Sequence, residues 1–116
     1  MIIWGGGSDL NDGGIYDPVA NSWSAVEPTG APGARFWHST VWTGSKMLVW
    51  GGIRNNTYLN DGGTFDPALN SWTATPTVGA PTARYQSTAG WTGSQMFVWG
   101  GRNVEYLNSG GLLTPP

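Results

Sequence analysis

The chain repeats itself at a fixed spacing, and this limits its fold more than any other feature. Asp66-Pro67 follows Asp17-Pro18 at 49 residues, as Asn70-Ser71-Trp72 follows Asn21-Ser22-Trp23, Arg84 follows Arg35, and Trp91-Thr92-Gly93 follows Trp42-Thr43-Gly44. A unit of this length cannot bury its own hydrophobic face, so each copy has to stack on a neighbour to make a core. A Trp-Gly-Gly element starts at Trp4, Trp50 and Trp99, with spacings of 46 and 49. The shortfall lies between the glycine pair and the next Gly-Gly run, where the second copy has residues 53–59 and the first only 7–10. A deficit confined to one segment marks a surface loop, because a strand shortened by three residues would reverse its facing pattern. Met1, Met47 and Met96 are equivalent, which divides this single repeat domain into periods 1–46 and 47–95 and a partial period 96–116.

Composition bounds the class. Nineteen Gly, eight Pro and eight Trp in 116 residues, with only 10% charged residues, contrast with the roughly 25% charged content of an average domain. Glycine and proline at this density argue against long helices, and the tryptophans argue against disorder. The expectation is a turn-rich all-β protein. A net charge of −2 with scattered basic residues gives no footprint for nucleic acid or for an anionic membrane. The absence of cysteine removes disulfides and thiolate sites, and leaves the cellular compartment open. No apolar run approaches the roughly 20 residues of a membrane helix, and the start of the chain reads as a strand rather than a signal peptide.

Four strands are expected within one period: residues 38–42, a tight turn at Thr43-Gly44, residues 47–50, a loop over 51–62, residues 63–66, and residues 72–75. The Asp66-Pro67 turn joins the last two, with Asp accepting backbone hydrogen bonds and Pro fixing φ behind it.

Four antiparallel strands per period, a glycine pair closing the second and a tryptophan opening the fourth, fit one blade of a β-propeller. The sequence here resembles the kelch-repeat family. The matching residues are the strand ending in Gly51-Gly52, the aromatic-Asp-Pro of Phe65-Asp66-Pro67 and Tyr16-Asp17-Pro18, the later Trp72 and Trp23, and Arg84 and Arg35 before the first strands. The third copy departs from the pattern, since residues 111–116 lack the aromatic-Asp-Pro. The resemblance implies four-stranded antiparallel kelch-type blades arranged about a channel, here as a partial propeller.

The repeating tryptophans, Trp4, Trp50 and Trp99 with Trp23, Trp72, Trp42 and Trp91, are expected to fill the wedges between blades. Trp37 is different, because its counterpart one period later is Gln86. Surface recognition and incidental packing both remain open for it. No catalytic residue is expected: Asp12, Asp17, Asp61 and Asp66 read as turn caps, and His38 is the only histidine. No spacing of His, Cys or acidic residues suggests a metal site, the segment Asp9 to Gly13 lacks the acidic spacing of a calcium loop, and no cofactor is expected.

The resemblance implies that a peptide or glycan would dock at a channel mouth, on the loops before the first strands and between the second and third. The positions that match are Arg35, Phe36, Trp37, Arg84 and Tyr85, with Arg54, Asn55, Asn56 and Tyr58 on the second loop. Arg offers forked donors and Trp or Tyr a rigid face, a combination common at recognition hot spots. An Arg that recurs in each period has a second reading, in which it ties the connecting loop down. The functional expectation is a non-catalytic, self-assembling scaffold or ligand-binding module. The alternative is part of a kelch-like propeller enzyme, of the oxidase or isomerase type, whose catalytic residues lie outside this chain.

Propellers close with roughly 4 to 8 blades. Two periods leave edge strands and tryptophan-lined faces open, which argues against an isolated monomer. The expected solution is a homo-oligomeric ring, a trimer being favoured over a dimer or tetramer. In it, residues 86–90 of one chain would supply the missing inner strand of the next chain's first blade, with 96–113 duplicating 1–16.

Overall fold

A computed structural model describes residues 1–116. It contains twelve strands and no helix, so no helix is long and apolar enough to cross a membrane. In chain order they are β1 (Ile2–Trp4), β2 (Gly13–Asp17), β3 (Ser22–Ala25), β4 (Ser39–Trp42), β5 (Met47–Trp50), β6 (Ile53–Arg54), β7 (Thr57–Tyr58), β8 (Gly62–Asp66), β9 (Ser71–Ala74), β10 (Thr88–Trp91), β11 (Met96–Trp99) and β12 (Gly110–Leu113). They form three blades, ordered β1-β2-β3, β4-β5-β8-β9 and β10-β11-β12, all antiparallel, with β6-β7 as a separate ribbon. Only the middle blade has four strands. The first lacks an innermost strand and the third an outermost one.

The expected strands are present with small shifts in their ends. The first strand of the middle blade begins at Ser39, because Trp37 takes a left-handed conformation (φ 55) that turns the chain just before it. The third begins at Gly62 and the fourth at Ser71. The stretch expected as a plain loop over 51–62 holds the β6-β7 ribbon. Its turn residues Asn55 and Asn56 both have positive φ (47 and 63), as a two-residue type I′ hairpin requires. The first copy, three residues shorter here, has only an isolated bridge between Gly7 and Leu10.

The glycine pairs have a steric cause. A Cβ on Gly62 would fall on the Val49 carbonyl, and the equivalent atoms on Gly13 and Gly110 would fall on the carbonyls of Ile3 and Val98. The third strand of every blade can therefore approach the second only through a residue without a side chain. The Asp-Pro turns behave as expected: Asp17 Oδ1 accepts from the amides of Val19 and Ala20, and Asp66 Oδ1 from those of Ala68 and Leu69.

The core lies between blades, as the period requires. Trp4 and Val26 from the first blade meet Met47, Val49, Phe65 and Trp72 of the second. On the other side Val41, Leu48 and Trp50 meet Met96 and Val98 of the third. Strand β5 is buried on both faces, Met47 and Val49 toward one neighbour and Leu48 and Trp50 toward the other, following the strand period of two.

The tryptophan expectation holds only where a strand of a neighbouring blade covers the ring; Trp42 lies on the inner strand of the middle blade, beside a first blade that has no inner strand. Trp4, Trp50 and Trp72 are buried, while Trp23, Trp42 and Trp99 are 54%, 50% and 56% exposed. Trp50 and Trp99 are repeat equivalents; the first faces the third blade and the second faces an open end.

Candidate recognition surface

The loops at one end of the blades are laced together by the backbone. Phe36 and Ile53 exchange amide hydrogen bonds at 3.1 and 3.0 Å, and Tyr85 and Arg102 repeat the exchange one blade later at 2.9 and 3.0 Å. Bonds from Gly52 N to Arg84 O (2.8 Å) and from Gln86 N to Trp37 O (3.0 Å) join the two sets. Each segment entering an inner strand is thereby fixed to the loop that leaves the second strand of the same blade.

Arg35 and Arg84 sit beneath this lacing, each 1% exposed. Arg35 Nε donates to Gly33 O, and its Nη1 to the carbonyls of Gly51 and Asp61, with the Asp61 carboxylate 3.0 Å away. Arg84 repeats the pattern on Thr82, Gly100 and Ser109, and burial lowers its pKa. Ser109 stands where the middle blade has Asp61, so Arg84 has no carboxylate partner. The expectation that these two arginines present donors to a ligand is corrected: their guanidiniums tie the loops down, and their side chains are withdrawn from the surface.

The remaining expected residues come together on the outside. Trp37 stacks on Tyr85 (centroids 5.5 Å apart, 18° between planes), and Tyr85 stacks on Tyr58 (5.7 Å, 13°). Phe36 meets Trp37 edge-on at 4.9 Å. Four aromatic rings contributed by both blades thus form one continuous surface, with the Trp37 ring 53% exposed. Arg54, Asn55 and Asn56 are exposed along the ribbon beside it, where Arg54 Nη1 lies close to Gly33.

Two residues that the sequence reading missed complete the surface. The Arg102 guanidinium lies over Tyr85 at 5.7 Å and over Tyr106 at 4.8 Å from the ring centroids. Arg102 stands where the middle blade has Ile53 and interrupts the repeat as Trp37 does, whereas Tyr106 in Tyr106-Leu107-Asn108 is the counterpart of Tyr58 in Tyr58-Leu59-Asn60. The Ile-to-Arg change was the available signal for the first, and a one-residue shortening of the third copy between 102 and 106 hid the second. Arg54 and Arg102 have no carboxylate within ion-pair distance.

The backbone separates what the fold needs at residue 37 from what it leaves free. Trp37 and its repeat equivalent Gln86 both have positive φ, 55 and 56. Such a conformation is costly for a residue with a side chain, by about 1–2 kcal/mol. Because Gln86 shares it, the fold imposes the turn at both positions. The indole at 37 is a separate choice, and it is spent on the exposed stack.

His38 lies behind this surface with its ring edge-on to Trp4 at 5.4 Å. Burial, and then the charge of Arg35, hold its pKa below the ordinary 6.5, partly opposed by the Trp4 backbone. The folded chain therefore binds fewer protons than the unfolded one just below that value. Stability is full above the unfolded value and falls as pH drops toward the lowered folded one. Urea midpoints compared at about pH 7.5 and about pH 5.5 are expected to be lower at the acid end, with the gap narrowed in His38→Gln. An equal gap in both proteins would contradict this account of His38. No three His, Cys, Asp or Glu side chains gather as a metal site would need.

The family model describing the KLHDC2/KLHL20/DRC7 Kelch-repeats domain matches residues 1–112. The chain belongs to the kelch-repeat family. Its Gly-Gly and Asp-Pro elements, Arg35 and the buried tryptophans are thereby the working parts of kelch blades, each with a local role described above. No curated protein matches the chain.

Proposed function

We propose that this kelch chain is a non-catalytic binding module that takes an extended peptide across the stacked rings of Trp37, Tyr85 and Tyr58. The observation that carries the reading is the stack itself, built by two blades around an indole the repeat does not require. Flat rings offer apolar contact at small entropic cost, and recognition hot spots are enriched in Trp, Tyr and Arg. Arg54 and Arg102, which lack acidic partners, favour a peptide carrying carboxylates close to an apolar or aromatic residue. A glycan is the second reading, favoured by the half-exposed face of Trp37.

The open blade edges extend the proposal to assembly: they are closed by strands added in trans, and a ring of copies is one arrangement that native mass spectrometry would detect. Selection from a displayed peptide library, with a glycan panel in parallel, tests the ligand. Selected peptides are expected to be acidic and to bind more weakly as salt rises. Trp37→Ala and Tyr85→Ala should each weaken them by about 2 kcal/mol, or roughly thirtyfold. Ligands that bind both variants as well as the parent chain would place the site elsewhere.

A further inference from the structure

Left-handed backbone in this chain is given to residues that tolerate it, with two exceptions. Outside glycine, six residues have positive φ, and four of them, Asn21, Asn55, Asn56 and Asn70, are asparagines in turns. Asparagine and glycine occupy this region routinely, because a short polar side chain, or none, relieves the clash with the following carbonyl. The other two are the repeat equivalents Trp37 (φ 55) and Gln86 (φ 56), which have neither advantage. Asparagine or glycine would make the same turn at lower cost.

These two residues stand side by side at the seam between the second and third blades. Gln86 N donates to Trp37 O at 3.0 Å, with Phe36 bound to Ile53 on one side and Tyr85 to Arg102 on the other. Their side chains leave neighbouring points of the backbone in the same local geometry, one from each blade. Trp37 stays 53% exposed although the third blade follows it, so this position faces outward with a neighbour in place. Gln86 is exposed as well, and the lacing engages only its main chain. A long side chain kept at a strained, exposed position adds nothing to the core, and strain held in place by surrounding bonds is a mark of ligand clamps.

We propose that Gln86 is a further specificity-determining residue of the Trp37 surface, and that its carboxamide holds the main chain of the bound peptide. The inference rests on the peptide reading given above and adds the contact that sets the peptide's conformation. A carboxamide carries a donor and an acceptor in one plane, which match the carbonyl and the N–H of a residue in an extended peptide. Beside Trp37 and Arg102, whose indole and guanidinium only donate, the Gln86 oxygen accepts a peptide N–H. The surface thereby selects a peptide that runs extended past the Trp37 ring, whatever side chain the residue opposite Gln86 carries.

The test combines urea unfolding of the full chain and its variants with titration of a library-selected acidic peptide. Gln86→Asn is expected to unfold at a higher urea concentration than the parent, because asparagine relieves the left-handed strain. It should also bind about five- to tenfold more weakly, because its carboxamide is drawn back by one methylene. Gln86→Met keeps the length without the hydrogen-bonding groups, and should show the same loss of affinity at an unchanged urea midpoint. N-methylation of one peptide amide should weaken binding to the parent and cost Gln86→Met nothing further. The proposal is overturned if Gln86→Asn is no more stable than the parent, a readout that needs no ligand. It is overturned equally if either variant binds the peptide as the parent does, or if every N-methylated peptide loses affinity alike for the parent and for Gln86→Met. Trp37→Ala keeps the two readings apart: weaker binding there with no loss in the Gln86 variants removes Gln86 from the site and leaves the surface standing, whereas no loss in any variant removes both.

Discussion

Arg35→Ala is expected to lower the stability of the chain by about 3–5 kcal/mol, the range for removing one partner of a buried charged network. The side chain is 1% exposed and satisfies the carbonyls of Gly33, Gly51 and Asp61. Without it those acceptors remain in a site shaped around a planar fork, and each buried group left unsatisfied costs about 1–3 kcal/mol. Native domains have only about 5–15 kcal/mol in total, so the variant should be partly unfolded at physiological temperature. Arg35→Lys should rescue little, since an ammonium cannot reproduce the guanidinium's fixed donors. Urea unfolding followed by tryptophan fluorescence measures the loss. A midpoint equal to that of the parent chain would mean that water or relaxation satisfies the three carbonyls.

Trp72→Ala and Trp23→Ala form a matched pair, because the two residues share a repeat position and a cross-strand aromatic partner 5.1 Å away. Trp72 also meets Trp4 at 5.3 Å and is buried in the first inter-blade core. Its removal should cost about 3–5 kcal/mol, from lost transfer free energy and the cavity left behind. Trp23 is 54% exposed, and its removal should change stability by less than about 1 kcal/mol. The ratio of the two losses reports how far stability resides between blades. Equal losses would contradict an inter-blade core.

Much of the fold was legible because stacking blades repeat their constraints. The glycine pairs, the Asp-Pro turns and the recurring Arg each answer a local steric or hydrogen-bonding need, so they stand in register and show in the sequence. What was hidden depends on context that periodicity does not encode. Trp50 and Trp99 read identically, yet one meets a neighbouring blade and the other does not. Arg35 was open to two readings, ligand donor or loop tie, and only its burial under the lacing chooses the second. The β6-β7 ribbon was written in Asn55-Asn56 between Ile53-Arg54 and Thr57-Tyr58, a pattern overshadowed by the glycines on either side. The candidate surface follows the opposite logic. Trp37 and Arg102 depart from the repeat, and positions where a repeat is broken without structural need are where recognition can be built.

The eight tryptophans supply the most direct test of that surface, because each indole N–H gives its own signal in a nitrogen–proton NMR spectrum. Titration with a library-selected acidic peptide should move the Trp37 indole signal, while those of Trp4, Trp50 and Trp72 in the inter-blade cores stay fixed. Saturable binding that leaves the Trp37 signal in place and moves those of other tryptophans would contradict the account.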